Sequence, residues 1–229
     1  MEKTIRIAID GPVGAGKSTV ARAVAQKLSI VYVDTGAMYR AVALYAKQSG
    51  ISWQNEREVV GLLDKINLKL GQPEGDQRDG RTLTVLLNGE DVSWEIRKPD
   101  MGEGASIVSQ YKLVREKLVD LQRKLAKGKS VIMEGRDIGT RVLPEAELKI
   151  YMDASVVERA KRKVIQMEER GNKVTYKEAK TDVETRDQRE KNRKIDPLRP
   201  AEDSFRLDTS HLSVEQVVDR IVEKVRQIT

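Results

Sequence analysis

The chain of 229 residues has no cysteine and only one histidine. Without cysteine it forms neither disulfides nor thiolate–metal sites, and a single histidine argues against a metal centre built from imidazoles. Aromatic residues are scarce (two Trp, six Tyr and one Phe), which leaves little surface on which nucleic-acid bases could stack. No apolar run approaches the roughly 20 residues that a membrane-spanning helix needs.

Charge is what the sequence has in abundance. Charged residues make up 34% of the chain, hydrophobic residues 39%, and the formal net charge is +6. This balance fits an anionic small molecule or a nucleic acid as partner, and the shortage of aromatics disfavours the second. Because the first residues, Met-Glu-Lys-Thr-Ile-Arg, lack the apolar stretch of a signal peptide, we expect a cytoplasmic protein. We also expect a monomer with small-molecule partners, no nucleic acid and no membrane.

The segment Gly11–Ser18 follows the apolar run Ile5–Ile9 and matches the P-loop pattern G-x-x-x-x-G-K-[ST]. In such a loop, backbone N–H groups and the start of the next helix bind a polyphosphate. Lys17 adds a positive charge near the β- and γ-phosphates, and the Ser18 hydroxyl is a ligand for Mg²⁺. The alternative is a glycine-rich turn that only joins a strand to a helix. The predicted nucleotide-binding residues are Gly11, Pro12, Val13, Gly14, Ala15, Gly16, Lys17, Ser18 and Thr19.

Apolar runs alternate with helical patterns along most of the chain, which is typical of an α/β fold with a parallel sheet. We predict a P-loop NTPase-type parallel core with helices on both faces. The predicted strands are Thr4–Asp10, Ile30–Asp34, Ser130–Glu134, Glu147–Asp153 and Phe205–Asp208. The predicted helices are Lys17–Leu28, Ala37–Gln48, Tyr111–Ala126, Val156–Arg170 and Val214–Gln227.

Two stretches interrupt the alternation. Residues 62–98 contain short strand patterns at Ile66–Leu70, Leu83–Leu87 and Glu90–Ser93, with the polar segment Gly71–Arg81 between the first two. Asn88-Gly89 is a strong hairpin signal, so we predict a small antiparallel insertion. Residues 171–203 are very polar and predict a charged helix near Tyr176–Lys194, followed by a loop. We therefore predict a single domain with a core of about 1–61, 99–170 and 204–229, an insertion at about 62–98 and a lid at about 171–203.

The second predicted strand ends in the run Asp34-Thr-Gly-Ala-Met-Tyr-Arg40. In a parallel sheet this end lies at the same carboxyl edge as the P-loop, where ligands bind. Thr35, Tyr39 and Arg40 are therefore well placed to meet a second substrate. The alternative is a helix cap made by Asp34 or Thr35, with Arg40 on the surface.

A second polar run, Glu134-Gly-Arg136-Asp137-Ile-Gly-Thr-Arg141, ends the next predicted parallel strand. Glu134 lies where the acid that helps to hold Mg²⁺ occurs beside a P-loop. Arg136 and Asp137 leave the same edge, although an adjacent Arg–Asp pair on a loop can also be a simple surface ion pair.

The predicted charged helix places Arg186, either Arg189 or Glu190, and Arg193 on one face, at spacings of three and four residues. Acids interleave with these arginines, so a salt-bridged helix is one interpretation. The other is a lid whose arginines stabilise the transferring phosphoryl group, because phosphoryl transfer needs positioned cations rather than covalent chemistry.

Over residues 4 to 227 the sequence resembles bacterial cytidylate kinases of the nucleoside monophosphate kinase family. The resemblance is carried by the motifs above, together with Gly89-Glu-Asp-Val-Ser93, Val114-Arg-Glu116, Gly135-Arg-Asp-Ile-Gly-Thr140 and the tail from Ala201 to Thr209. The resemblance implies transfer of the γ-phosphoryl group of ATP to CMP or dCMP with Mg²⁺. It implies that Ser106, Arg115 and Asp137 read cytosine. The catalytic residues would be Lys17, Arg136, Arg186 and Arg193, and the metal would be bound by Ser18 and Glu134. The resemblance places Thr35, Tyr39, Arg40, Arg136 and Arg193 around the monophosphate and sugar, and Arg186 and Glu190 at the ribose or phosphate.

Two positions depart from the family pattern, since many members carry Asp where this chain has Glu134 and Glu190.

Other functions also remain open. A P-loop kinase for UMP, or for a sugar or shikimate-type hydroxyl acceptor, is the nearest alternative. A switch GTPase would need an Asn-Lys-x-Asp element, which the sequence lacks, and a nucleic-acid-stimulated ATPase would use the positive charge.

Overall fold

A computed structural model describes residues 4–74, 79–81, 83–169 and 171–228. The strands are β1 (Arg6–Asp10), β2 (Val31–Asp34), β3 (Leu68–Gly71), β4 (Thr84–Leu87), β5 (Glu90–Asp91), β6 (Val131–Gly135), β7 (Leu148–Asp153) and β8 (Phe205–Asp208). The α-helices are α1 (Lys17–Leu28), α2 (Thr35–Gln48), α3 (Glu56–Gly61), α4 (Met101–Val108), α5 (Lys112–Ala126), α6 (Val156–Glu168), α7 (Tyr176–Lys191) and α8 (Val214–Ile228). The chain divides into two compact units, Met1–Val33 with Ala126–Thr229, and Asp34–Leu125.

The first unit is built on a parallel sheet in the order β2-β6-β1-β7-β8. The central strand β1 pairs in parallel with β6 and β7, which places Ile9 opposite both Glu134 and Ile150. Strand β6 is buried along its whole length, as a strand covered on both faces must be. Its carboxyl end therefore delivers polar side chains from an apolar interior to the edge of the sheet where β1 also ends.

Helices α1 and α8 pack on the core of this sheet through apolar stripes. The buried face of α8 consists of Val217, Val218, Ile221, Val222 and Val225. A capping box begins this helix, because Gln216 N–H donates to the Ser213 hydroxyl and the Gln216 side chain accepts from Ser213 N–H. The helix is thus specified locally at its start and by core packing along its length.

The second unit carries the antiparallel sheet β3-β4-β5. The turn between β4 and β5 has positive φ at both Asn88 (54°) and Gly89 (92°), as the Asn-Gly hairpin signal requires. Helix α4 approaches α2 closely, since a Cβ placed on Gly104 would lie 2.9 Å from the Cβ of Ala43. An apolar cluster of Met38, Val42, Val114 and Leu118 joins α2 and α5.

The structure confirms the predicted parallel sheet and the predicted antiparallel strands. Helix α1 and strand β8 have the predicted bounds, and α7 ends at Lys191 rather than near Lys194. Helices α3 and α4 were not expected, because both are short and α4 contains two glycines. Residues 75–78 of the predicted polar segment and the predicted helix end at Arg170 lie outside the described residues. The division into core, insertion and lid stays a prediction. In the described part of the chain, no helix is long and apolar enough to cross a bilayer.

Candidate active site

The P-loop lies between β1 and α1. At two of its positions glycine is required, because atoms of β7 or α6 lie too close to leave room for a side chain. Gly11 has φ +152°, and a Cβ there would lie 1.9 Å from the Met152 carbonyl oxygen of β7. Gly14 has φ +78°, and a Cβ there would lie 2.9 Å from the Cβ of Arg159 in α6. Helix α1 starts after Gly16 without a side-chain cap, so its first N–H groups keep their capacity to bind an anion.

Lys17 is the buried cation of this loop. Its ammonium group donates a hydrogen bond of 2.8 Å to the Pro12 carbonyl oxygen. Burial, followed by the positive charge of Arg136, lowers the pKa of Lys17 to about 7, although the carboxylates of Glu134 and Glu190 oppose the shift. A polyphosphate beside Lys17 would favour the charged ammonium form, so anion binding and lysine protonation support each other.

Glu134 is the penultimate residue of β6 and is 4% exposed. The hydroxyl group of Tyr32, on the neighbouring strand β2, donates to Glu134 Oε1 at 2.5 Å and orients the carboxylate. Ser18, in the first turn of α1, is exposed. A hydroxyl and a carboxylate are oxygen ligands of the kind that Mg²⁺ prefers. The described residues contain no cluster of three or more acidic or histidine ligands, so a metal held here would also need phosphate or water oxygens.

A charge cluster lies between the loop after β6 and helix α7. Arg136 Nε donates to Glu190 Oε2 at 2.6 Å, and Arg186 Nη2 lies 3.7 Å from Glu190 Oε1. Burial alone would raise the pKa of Glu190, but Arg136 and Arg186 outweigh it and lower this pKa to about 2. The buried Arg186 Nε has no hydrogen-bond partner among the described residues. The cluster therefore places two guanidinium groups around one carboxylate and leaves the buried Arg186 Nε as a donor for a ligand.

Asp10 fixes the loop that carries Arg136 and Asp137. Its carboxylate accepts hydrogen bonds from the backbone N–H groups of Ile138 (2.7 Å) and Gly139 (2.8 Å). Burial raises the pKa of Asp10 to about 7, against the opposing effect of these two donors. Asp137 is itself buried and precedes a short π-helical turn, Ile138–Val142. The end of β1 thus holds the loop after β6 in place.

Arg193 lies just beyond the end of α7 and is buried. Its Nε donates to the Ile195 carbonyl oxygen at 2.6 Å, and its Nη2 donates to the Asp196 carbonyl oxygen. In this structure the guanidinium group organises the turn that follows the helix.

In the second unit, Thr35, Tyr39 and Arg40 lie on the first turns of α2. The Asp34 carboxylate accepts from Ala37 N–H at 3.1 Å, so Asp34 caps this helix. This agrees with one part of the alternative interpretation of the motif, but Arg40 is partly buried and not on the surface as that interpretation held. Arg40 Nη1 donates to the Ile96 carbonyl oxygen at 3.4 Å.

Ser106 and Arg115 are both buried, in α4 and α5. Arg115 is 1% exposed, its guanidinium carbon lies 5.8 Å from the centre of the Tyr39 ring, and its Nη1 donates to the Ser109 carbonyl oxygen at 3.3 Å. A buried arginine on an aromatic face is a fixed cationic group, suited to recognising a polar ligand edge.

The first unit therefore brings Lys17, Arg136 and Glu190 into one electrostatic group, and the second unit brings Tyr39 and Arg115 together. The sequence interpretation missed Asp10 and Tyr32. Asp10 was detectable as the last residue of a strand directly before a P-loop. Nothing in the sequence marked Tyr32 as the partner of Glu134.

A P-loop between a parallel strand and a helix, backed by a buried cluster of guanidinium and carboxylate groups, defines a P-loop kinase. The family profile described as cytidylate kinase matches residues 7–227, and the chain belongs to that family. It is 43% identical to the cytidylate kinase of Lactobacillus johnsonii, over 97% of this chain and 94% of that protein. It is 45% identical to the cytidylate kinase of Bacillus cereus strain B4264, over 98% of this chain and 97% of that protein. The crystal structure of an uncharacterized protein from Eubacterium ventriosum shares the fold, with a TM-score of 0.52 and 16% identity over 98% of this chain and 99% of that one.

Proposed function

We propose that this protein transfers the γ-phosphoryl group of ATP to CMP and dCMP, giving ADP and CDP or dCDP, in cytoplasmic pyrimidine nucleotide metabolism. The observation that carries the proposal is the cluster around Glu190, in which Arg136 donates to this carboxylate at 2.6 Å and Arg186 lies 3.7 Å from it, within the electrostatic surroundings of the P-loop lysine. Membership of the cytidylate kinase family supports CMP as the acceptor.

In this mechanism the P-loop N–H groups and Lys17 bind the β- and γ-phosphates of ATP. Arg136, Arg186 and Arg193 supply the positive charge that the transferring group needs as its negative charge shifts between donor and acceptor oxygens. Glu190 holds Arg136 at 2.6 Å, so this guanidinium group is oriented before the substrate binds. Pre-orientation lowers the reorganisation needed in the transition state.

Ser18 and Glu134 are the residues that would hold Mg²⁺. The bound metal would neutralise charge on the phosphate oxygens, with the remaining ligands supplied by phosphate and water. The carboxylate of Glu134 is already oriented by the hydroxyl group of Tyr32, which limits the conformational freedom of this long side chain.

Recognition of the acceptor is assigned to Ser106, Arg115 and Asp137 for the base, and to Thr35, Tyr39 and Arg40, together with Glu190, for the monophosphate and sugar. Cytosine presents a donor at N4 and acceptors at N3 and O2, so it needs both a carboxylate and a guanidinium group. UMP reverses the donor pattern at this edge and would leave a buried carboxylate without its donor.

The test is ADP production from ATP and Mg²⁺, with CMP, dCMP, UMP and AMP supplied separately. We expect fast turnover with CMP and dCMP only. Turnover with UMP as well would preserve the reaction but contradict the assignment of the base-reading residues. An absence of turnover with every acceptor would contradict the proposed function itself. If the protein also bound no DNA at either low or high salt concentration, a nucleic-acid-stimulated ATPase would be excluded.

A further inference from the structure

Arg159 and Asp187 form a buried ion pair that the mechanism above does not use. Arg159 Nη1 donates to Asp187 Oδ1 at 2.9 Å and Nη2 donates to Oδ2 at 2.5 Å. The two residues are 3% and 6% exposed. A guanidinium fork paired with both oxygens of a carboxylate fixes distance and angle together.

The arginine of this pair also holds the P-loop. Arg159 Nη1 donates to the Val13 carbonyl oxygen at 3.1 Å, and Nε donates to the Ala154 carbonyl oxygen at 2.9 Å. The Cβ of Arg159 also lies too close, at 2.9 Å, for Gly14 to carry a Cβ. One side chain of α6 therefore supports the middle of the phosphate-binding loop.

The aspartate lies on α7 beside the charges of the site. Asp187 directly follows Arg186 and is three residues before Glu190, the carboxylate that pairs with Arg136. The path from the Val13 carbonyl through Arg159 to Asp187 is continuous, partly buried at Val13 and fully buried between Arg159 and Asp187. It connects the backbone that binds phosphate to the helix that carries the charges for its transfer.

We propose that Arg159 and Asp187 are positioning residues for phosphoryl transfer, which set the P-loop and α7 at the separation that the reaction requires. Stability alone is a poor explanation for the pair, because two buried charges often stabilise a fold no better than apolar side chains of the same size. A displacement of about 1 Å in a positioned group costs a reaction as much as roughly 100-fold. This proposal rests on the proposed function.

The test compares Arg159→Lys and Asp187→Asn with Asp182→Asn. Lys163 and Asp182 form another ion pair between α6 and α7, and Asp182 lies five residues before Asp187, so its loss is a matched control for helix docking. For Arg159→Lys and Asp187→Asn we expect kcat to fall roughly 10- to 100-fold, with the KM for CMP within about twofold of wild type. ATP affinity, measured by calorimetry without an acceptor, should fall as well. Asp182→Asn should change each of these quantities by less than about twofold.

A double variant, Arg159→Met with Asp187→Leu, separates positioning from stability. It restores apolar packing but removes the bond to Val13, so we expect a thermal unfolding temperature close to that of wild type with kcat still reduced. Wild-type kcat in this variant, or wild-type kcat and ATP affinity in Arg159→Lys, would overturn the proposal. If the wild-type protein phosphorylated no nucleotide, the proposed function would fail, and the ATP affinities would still decide the role of the pair.

Discussion

The two units of the chain differ sharply in how many charged side chains they bury. Among the described residues, the buried charged side chains of the first unit are Asp10, Lys17, Glu134, Asp137, Arg159, Asp187, Glu190 and Arg193, whereas Arg115 is the one in the second. The second unit otherwise buries neutral polar groups such as Thr35 and Ser106. Burying an ion is costly unless partners surround it, so the first unit needs a dense network of charged groups. In the second unit the buried guanidinium group of Arg115 has the Tyr39 ring and the Ser109 carbonyl oxygen among its partners.

This contrast matches two kinds of task. Phosphoryl transfer needs several fixed charges of both signs, because the transition state redistributes negative charge over many oxygens. Recognition of a neutral base needs a few donors and acceptors in fixed positions. The charges of the first unit should therefore control the rate of the reaction, and those of the second should control which acceptor is used.

The largest effect is expected from Lys17→Ala. Losing the P-loop cation should lower kcat by about 1,000-fold, because charge aimed at the transferring group acts mainly in the transition state. The fold should persist, since burial already lowers the pKa of Lys17 and opposes its charge. ADP production and thermal unfolding measure the two quantities. Lys27→Ala, which removes an exposed ion pair with Asp219, is the control and should keep full activity.

Arg115→Met tests the second unit. Loss of the guanidinium group should raise the KM for CMP roughly 10- to 100-fold, the range expected for a hydrogen bond to a charged group, while the KM for ATP stays unchanged. Lys117→Met, two residues further along α5 and exposed, is the matched control. An equal rise in both KM values would show that Arg115 supports the fold rather than the acceptor.

Asp137→Asn tests whether a charge of the first unit also serves recognition. We expect the preference for CMP over UMP, measured as the ratio of kcat/KM values, to fall by roughly 10-fold, because an amide no longer accepts from the cytosine amino group with a full charge. An unchanged ratio would assign Asp137 to the structure of the π-helical turn that it precedes.

The smallest effects concern the pH dependence of stability within the first unit. Glu190 has a pKa of about 2 in the fold against an ordinary 4.5, so its stabilising contribution is present above pH 4.5 and is lost as the pH falls towards 2. Asp10 has a pKa of about 7 against an ordinary 3.8, so its contribution is present below pH 3.8 and is lost as the pH rises towards 7.

Urea unfolding of Glu190→Gln and Asp10→Asn at several pH values would measure these contributions. Glu190→Gln should flatten the rise of the unfolding free energy between pH 3 and 4.5, and Asp10→Asn should flatten its decline between pH 4 and 7. Neither slope should change by more than about 1.4 kcal/mol per pH unit, the limit for one proton. Identical pH profiles for both variants and the wild type would contradict the opposite surroundings of the two carboxylates.

Much of this architecture was predictable because it is encoded locally. The alternation of apolar runs with helical patterns located the core strands, and the Asn88-Gly89 pair predicted the hairpin between β4 and β5. The short helices α3 and α4 escaped prediction, because fewer than three turns give too few periods to recognise and α4 contains two glycines. Asn55 does cap α3, but a single cap is a weak signal beside a long apolar stripe.

The sequence by itself determined the P-loop, the order of strands and helices, and the polar residues that end the strands, because glycine conformation, hydrophobic period and turn chemistry act over a few residues. Only the tertiary structure decided which charges meet. Arg136 pairs with Glu190 across 54 positions, Tyr32 with Glu134 across 102, and Asp10 with the N–H groups of residues 138 and 139 across nearly 130. Contacts at such separations depend on how the sheet and helices pack, and so do the pKa values of the groups that make them.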